Sequence, residues 1–223
     1  MKKSVGFGLI CAAAFALFVQ AAPAFATPTV TINVNQVFTG ATPAGPAPWL
    51  VATFTQTGTN TGKLTLTSNL TAPNFLQGLN SSHATVGWAF FLNQSLASIS
   101  CASGTCGNGD SGFRAGGFNT GPAHAGLFNL GFGWGPGSSH RFLAGSSAVY
   151  DLTFAGALSG DPFGVNGSGW SSVAHVQGIR VGGSGWIVAG TPSVSVPEPA
   201  ELGIFGVGVL LIGLFAGLRR RYS

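Results

Sequence analysis

Apolar and polar residues alternate along several short segments in the middle of the chain, which is the pattern of β-strands with one buried face. In residues 29–38 the alternation places Val30, Ile32 and Val34 on one side. Further β-rich segments, separated by Gly, Asn and Ser, occur at residues 49–56, 63–71, 84–93, 125–132, 148–155 and 173–181. The pattern therefore predicts an all-β fold, a single sandwich or jelly-roll-like domain of antiparallel strands.

Two predicted strands are joined by a sequence with the chemistry of a hairpin turn. Residues 57–62 read Thr-Gly-Thr-Asn-Thr-Gly, and Gly and Asn adopt turn conformations readily. We therefore expect the flanking segments to pair, with Leu64 and Leu66 facing inward. After residues 173–181, a glycine turn is expected to return Trp186 to the core.

The N-terminal residues have the three parts of a secretion signal. Lys2 and Lys3 form a short positive region, and residues 5–19 are apolar. Ala24 and Ala26 then match the small-residue pattern that signal peptidase cleaves. We predict transport through the Sec translocon and cleavage after Ala26, with an uncleaved signal anchor as the alternative.

A second apolar stretch lies near the C-terminus. Residues 202–218 contain no charged side chain, and at about 1.5 Å per residue these 17 residues form a helix of roughly 26 Å, just enough to cross a bilayer. Arg219, Arg220 and Arg221 follow, and the positive-inside rule places them in the cytoplasm. This pattern predicts a transmembrane helix, and an ordinary tail anchor is one interpretation of it.

The residues just before this helix read Val-Pro-Glu-Pro. With the helix and the arginine cluster, this order resembles the PEP-CTERM sorting signal over residues 196–223. Glu201 departs from the family's usual small or hydroxyl residue, but it lies at the helix start, where the helix dipole tolerates a carboxylate. The resemblance implies processing by an exosortase, a membrane-embedded cysteine transpeptidase, in a Gram-negative bacterium that makes exopolysaccharide. Its recognition element would be Pro197, Glu198 and Pro199.

These ends divide the chain into four predicted parts. They are a signal peptide at 1–26, an extracytoplasmic β-rich domain at 27–189, a flexible linker at 190–195 and the sorting signal at 196–223. The predicted route is export, an inner-membrane intermediate held by the C-terminal helix, and then the cell surface, the outer membrane or the extracellular matrix.

Charge is scarce in the predicted domain. Only 6% of the chain's residues are charged, compared with about 25% in ordinary soluble domains. Five of the nine basic residues lie in the two termini, which leaves four basic and three acidic side chains, or +1, in residues 27–195. Because the four basic residues are scattered, we predict no nucleic-acid partner.

Cys101 and Cys106 are the two cysteines that follow the predicted signal peptide. In an oxidising compartment such a pair is typical of a local disulfide. Metal binding is the weaker alternative, because the chain has no second pair of ligands at the spacing of a zinc site. We predict neither a metal nor another cofactor.

Motifs that resemble catalytic sites are incomplete. Residues 109–112 read Gly-Asp-Ser-Gly, as around the nucleophile of trypsin-like proteases, but Phe113 stands where glycine belongs and His83 lacks the flanking residues of that family. The predicted domain contains no glutamate and only three aspartates, which makes a glycosidase pair improbable, although Asp151 and Asp161 could in principle form one. We therefore predict a non-enzymatic protein, and a hydrolase assembled by the fold is a third hypothesis.

The five tryptophans are interpreted first as core residues. Trp134 and Trp170 are the two that a sugar-stacking platform would favour, because each lies among glycines, where loops are more exposed than strands. The function predicted first is a structural or adhesive component associated with exopolysaccharide or biofilm matrix, as the PEP-CTERM resemblance implies. The alternative is a carbohydrate-binding module that uses exposed tryptophans.

Overall fold

The computed structural model describes most of the chain between the two predicted terminal signals. The described residues are 28–76, 78, 86–107, 113–119, 125–135, 137, 140–180 and 183–195. The predicted signal cleavage site, sorting motif, apolar helix and arginine cluster lie outside them. Within the described ranges, no helix has the length and apolar character that a membrane span requires.

The described residues form fourteen β-strands, so the prediction of an all-β fold is confirmed. The strands are β1 Thr29–Val34, β2 Gln36–Gly40, β3 Leu50–Gln56, β4 Thr61–Ser68, β5 Phe75–Leu76, β6 Trp88–Phe90, β7 Leu96–Gly104, β8 Phe113–Asn119, β9 Leu127–Phe132, β10 Phe142–Leu143, β11 Ser147–Phe154, β12 Ser172–Ile179, β13 Gly183–Ala189 and β14 Ser193–Ser195.

The strands pair antiparallel and build two sheets. The six-stranded sheet has the order β14-β1-β3-β4-β11-β7. The eight-stranded sheet has the order β10-β5-β12-β6-β9-β8, and β13 followed by β2 extends it from β12. The centre of this sheet is β12, since β13 pairs along its whole length while β6 and β5 pair with its first and second halves.

The alternating segment at residues 29–38 is divided between the two sheets. Its first part, β1, pairs with β3 in the six-stranded sheet, whereas β2 pairs with β13 in the eight-stranded sheet. Asn35 lies between the two strands, so the expectation of one continuous strand is wrong here. Alternation shows which side of a strand is buried and carries no information about which sheet the strand joins.

The predicted linker at 190–195 also contributes to a sheet. Ser193–Ser195 form β14, which pairs with the first three residues of β1. The Ser193 hydroxyl donates a hydrogen bond to the Thr31 carbonyl at 3.2 Å. The expectation of a flexible linker is therefore wrong for these residues, because the open edge of β1 offers backbone hydrogen bonds to a short polar strand.

The predicted hairpin is present between β3 and β4. The amides of Thr57 and Gly58 donate hydrogen bonds to the Thr61 carbonyl at 2.9 and 3.2 Å. Gly62 then lies against the ring of Phe54, and an added Cβ atom at Gly62 would overlap that ring. The turn sequence thus closes the hairpin, and the glycine after it makes room for a core aromatic residue.

Aromatic rings fill the space between the two sheets. Phe132 on β9 and Tyr150 on β11 belong to different sheets, and their ring centroids are 4.5 Å apart. Phe163, in the segment between β11 and β12, contacts Phe54 of one sheet at 5.7 Å and Phe90 of the other at 5.8 Å. Such pairs stabilise a core by about 0.5–1.5 kcal/mol each beyond the burial of their area. The two sheets therefore share one core.

A disulfide closes the loop at the end of β7, the edge strand of the six-stranded sheet. It joins Cys101 and Cys106, whose Cα atoms are 6.1 Å apart. Inside this loop, the Thr105 carbonyl accepts a hydrogen bond from Trp134 Nε1 at 2.8 Å. The loop therefore pairs the polar atom of a buried indole, which would otherwise be costly to bury.

Two buried serines differ in what their hydroxyl groups contact. The Ser172 hydroxyl on β12 accepts a hydrogen bond from Trp88 Nε1 at 2.7 Å and donates one to the Ala89 carbonyl at 2.9 Å. The Ser68 hydroxyl is buried as well, and it has no hydrogen-bond partner among the described residues. The two residues offer a matched test of hydrogen bonding in this core.

We expect Ser172→Ala to lower the free energy of unfolding by about 1–3 kcal/mol, because the Trp88 N–H then stays buried without an acceptor. Ser68→Ala is the matched control, and it should leave stability within about 0.5 kcal/mol of wild type or raise it, because no hydrogen bond is lost. Urea unfolding of both variants measures the difference. Equal losses of stability in the two variants would contradict a stabilising role for the hydrogen bond between Trp88 and Ser172.

Candidate functional site

A second apolar cluster lies on the face of the eight-stranded sheet that points away from the shared core. On β12, Ala174 and Val176 belong to the core, whereas Val173 between them belongs to the second cluster. The buried members of the second cluster are Val86, Ala89, Phe118, Ala125, Phe128, Val173 and Val188. Its partly buried members, here called the outer aromatic cluster, are Phe38, Phe91, Trp170 and Trp186.

His175 and Trp186 form a stacked pair at this surface. The two residues are partners in the β12–β13 register, so their side chains emerge side by side. Their ring centroids are 4.4 Å apart and the planes differ by only 9°. His175 Nδ1 is buried and has no hydrogen-bond partner among the described residues. Burial lowers the pKa of His175, because the charged imidazolium loses solvation there.

Phe38 and Trp170 form a second pair, with ring centroids 6.1 Å apart at 80°. Trp170 ends a turn built around Asn166, whose Oδ1 accepts hydrogen bonds from the Ser168 and Trp170 amides at 3.0 and 3.1 Å. Asn166 Nδ2 donates to the Ala125 carbonyl at 2.8 Å. A buried amide therefore fixes the turn that presents the Trp170 ring.

An open polar cleft lies where the chain crosses between the sheets after β1 and again after β13. Its volume is about 230 Å³. The residues that line it are Thr31, Asn33, Asn35, Gln36, Gly190, Thr191 and Ser193, none of which is charged. The Ser171 hydroxyl donates a hydrogen bond to the Gly190 carbonyl, which ties this cleft to the residue after Trp170.

Another open cleft, of about 330 Å³, lies between the start of β7 and the strands β8 and β9. The Asn129 amide in its wall already accepts a hydrogen bond from Leu92 N at 2.7 Å and donates one to Leu92 O at 2.8 Å. This amide therefore holds the backbone together. In the polar cleft, by contrast, the side-chain amides of Asn33, Asn35 and Gln36 make no hydrogen bonds to other described residues.

Trp134 is buried, so the expectation that its glycine-rich surroundings expose it is wrong. Its side chain is 1% exposed, and its ring stacks on Phe142 with the centroids 4.5 Å apart. A ring in this position has no free face for a ligand. The reason is that a glycine-rich sequence permits a tight loop, while a large aromatic ring gains most from burial.

Trp170, the other predicted ligand-binding residue, lies at the surface in the outer aromatic cluster. The expectation that Trp186 fills the core is wrong, because Trp186 alternates with Ile187 and Ile187 faces the core. Sequence reasoning missed Phe38 and His175. For His175 the available signal was its position between two core residues, but a strand that is apolar on both faces conceals which face is exposed. Phe38 gave no such signal, because its neighbours on β2 are exposed.

The described acidic and histidine residues stay apart. In the part of the chain that the structure describes, no three His, Cys, Asp or Glu side chains gather in a group that could hold a metal. Asp151 pairs with Lys63 at 2.6 Å at the surface. Asp161 accepts a hydrogen bond from the Phe163 amide at 2.8 Å, and burial raises its pKa. The two carboxylates proposed as a glycosidase pair thus have separate partners.

No protein-family model, no curated protein and no solved structure matches this chain. Two places in the described structure have accessible side chains that could bind a ligand. The outer aromatic cluster offers aromatic rings, and the polar cleft offers amide and hydroxyl groups.

The depressed pKa of His175 predicts that the protein loses stability as the pH falls. The unfolded chain binds a proton near pH 6.5, while the folded chain resists it, so the free energy of unfolding decreases from about pH 6.5 down to the lower folded pKa. His175→Phe keeps an aromatic ring beside Trp186 and removes the titration. Urea unfolding at pH 7.5 and pH 5 should therefore show a smaller drop for the variant, and equal drops would contradict this.

Proposed function

We propose that this chain is an exported protein that an exosortase sorts to the cell surface, outer membrane or extracellular matrix of a Gram-negative bacterium. Its β-domain, a single sandwich, has a structural or adhesive role in exopolysaccharide or biofilm matrix and no catalytic role. The observation that carries this proposal is the order of the C-terminal sequence, a Pro-Glu-Pro motif followed by an uncharged apolar stretch and three arginines. Before processing, the C-terminal helix holds the chain in the inner membrane.

The outward face of the six-stranded sheet supports work in a hydrated, polymer-rich setting. Threonine and serine side chains face each other across its strands, in rows set by the strand register. One such row contains Ser193, Thr31, Thr53 and Thr65, and a second contains Ser195, Thr29 and Thr55 and continues into the Lys63–Asp151 ion pair. Hydroxyl groups wet this surface where most soluble proteins use charge.

Carbohydrate binding is the second candidate function, and the Phe38–Trp170 pair favours it. Partly exposed aromatic rings on a rigid sheet can stack on the apolar face of a sugar ring. The hydrogen bonds of Asn166 hold Trp170 in place before any ligand arrives, which limits the ordering cost of binding.

Changing Pro197, Glu198 and Pro199 together to alanine should block removal of the tail and leave signal cleavage intact, because the exosortase loses its recognition element. The intact mass of the protein from a native host fraction measures both events. The expected variant lacks residues 1–26 and keeps the arginine-tipped tail in the inner membrane. The expected wild type lacks both ends and lies in a surface or released fraction. A variant that matured normally would refute the sorting proposal.

Replacing Trp170 with alanine should weaken retention on exopolysaccharide from the host by about tenfold, because one stacking ring is lost. Leu143→Ala is the matched control, since Leu143 is 44% exposed at the opposite end of the same sheet, on β10. Affinity electrophoresis in polysaccharide-containing gels measures retention. Equal retention of the two variants and wild type would remove the second candidate function.

A further inference from the structure

We propose that the polar cleft and the Phe38–Trp170 pair form one elongated site for a neutral polysaccharide chain. This inference rests on the second candidate function and assigns to it a location and a ligand class. The aromatic pair binds the apolar face of one sugar unit, while the cleft binds the hydroxyl groups of a neighbouring unit.

The two parts adjoin each other through two segments of backbone. Gln36 of the cleft lies opposite Val188, a buried member of the second cluster, and Phe38 of the same strand packs against that cluster. On the other wall, the Gly190 carbonyl accepts the hydrogen bond from Ser171, the residue that follows Trp170. A ligand that follows the chain from the outward side of β1 past the crossing at Asn35 and on along β2 therefore passes round the sheet edge towards the ring pair.

The side chains in the cleft match the hydrogen-bonding groups of a sugar. Asn33, Asn35 and Gln36 are exposed, and their amides have no hydrogen-bond partner among the described residues. Each side-chain amide can donate hydrogen bonds through its NH₂ group and accept them at its carbonyl oxygen. It can therefore pair with a sugar hydroxyl group, which also both donates and accepts. Thr191 adds a hydroxyl group at the same wall. The site therefore offers both polar contacts and ring stacking, which is the combination that orients a small ligand.

The absence of charge among the lining residues selects the ligand class. A uronate, sulfate or phosphate group is recognised mainly by Arg or Lys through charge-assisted hydrogen bonds. No Arg or Lys is among the described residues that line this cleft. A charged group placed here would lose solvation without gaining an ionic partner. The ligand is therefore an uncharged, polyhydroxylated chain.

The dimensions favour part of a chain over a whole small molecule. Pockets for drug-sized ligands usually enclose about 300–1,000 Å³, and this cleft of about 230 Å³ is smaller and open. An open cleft lets a polymer enter from the side and leave towards the rings. Affinity then comes from repeated contacts along the chain.

The test uses the full chain, purified in mild detergent, and affinity electrophoresis against two neutral polysaccharides, a β-glucan and a galactomannan, and one acidic polysaccharide, alginate. The double variant Asn35→Ala, Gln36→Ala removes two amides from the cleft at exposed positions and leaves the rings in place. Asn119→Ala is the control, because Asn119 is an exposed amide on β8 at the other end of the sheet. Thermal unfolding of each variant checks that it is folded.

We expect wild type to be retained by a neutral polysaccharide, the double variant to bind about five- to tenfold more weakly, and the control variant to bind as wild type. Equal retention of the double variant and wild type, together with loss in Trp170→Ala, would overturn the cleft assignment and leave the second candidate function standing. Preference for alginate would overturn the neutral ligand class. Lack of retention on all three polymers would overturn this inference. The second candidate function would then be tested only by the retention of wild type and Trp170→Ala on host exopolysaccharide.

Discussion

Burial of aromatic rings between the two sheets is the interaction on which the rest of the structure depends. The domain has few charged residues and one described ion pair, between Lys63 and Asp151, which is half exposed and contributes little. Burying a large apolar side chain contributes about 1.5–3 kcal/mol. Phe163 is central, because it contacts rings of both sheets from the segment that connects them. The core fixes the strand registers, and both outward faces are then free to vary.

The two outward faces have different chemistry because of this freedom. The six-stranded sheet presents hydroxyl groups in rows, whereas the eight-stranded sheet carries apolar residues on both sides near β12 and β13. A sheet with two apolar faces needs cover on the second one. Here the cover consists of the sheet's own aromatic side chains and the turn around Asn166, and those rings remain partly accessible. The accessible aromatic surface thus results from the way in which the second apolar face of the sheet is covered.

Much of the fold could be predicted from the sequence, and the candidate site could be predicted only in part. Two-residue alternation identified β1, β3 and β11 because each buries one face against the core. The alternation did not predict β7, whose Ser and Ala residues are mostly exposed at a sheet edge. It also did not reveal that the chain crosses from one sheet to the other at Asn35. Trp134 and Trp170 have similar glycine-rich neighbours, so local sequence could not separate them. Their difference comes from partners outside those glycine-rich neighbours, Phe142 for Trp134 and Phe38 for Trp170.

The short pairing of β14 with β1 has a mechanical consequence. Any tension applied to the chain beyond Ser195 reaches the domain through three paired residues at the edge of the six-stranded sheet. This ladder is the shortest in that sheet, so fewer paired residues resist a pull there than at any other strand pair of the sheet. Thr31 and Ser193 belong to the ladder and also line the cleft. A ligand bound across both strands would therefore hold them together, and the domain would resist force best with that ligand in place.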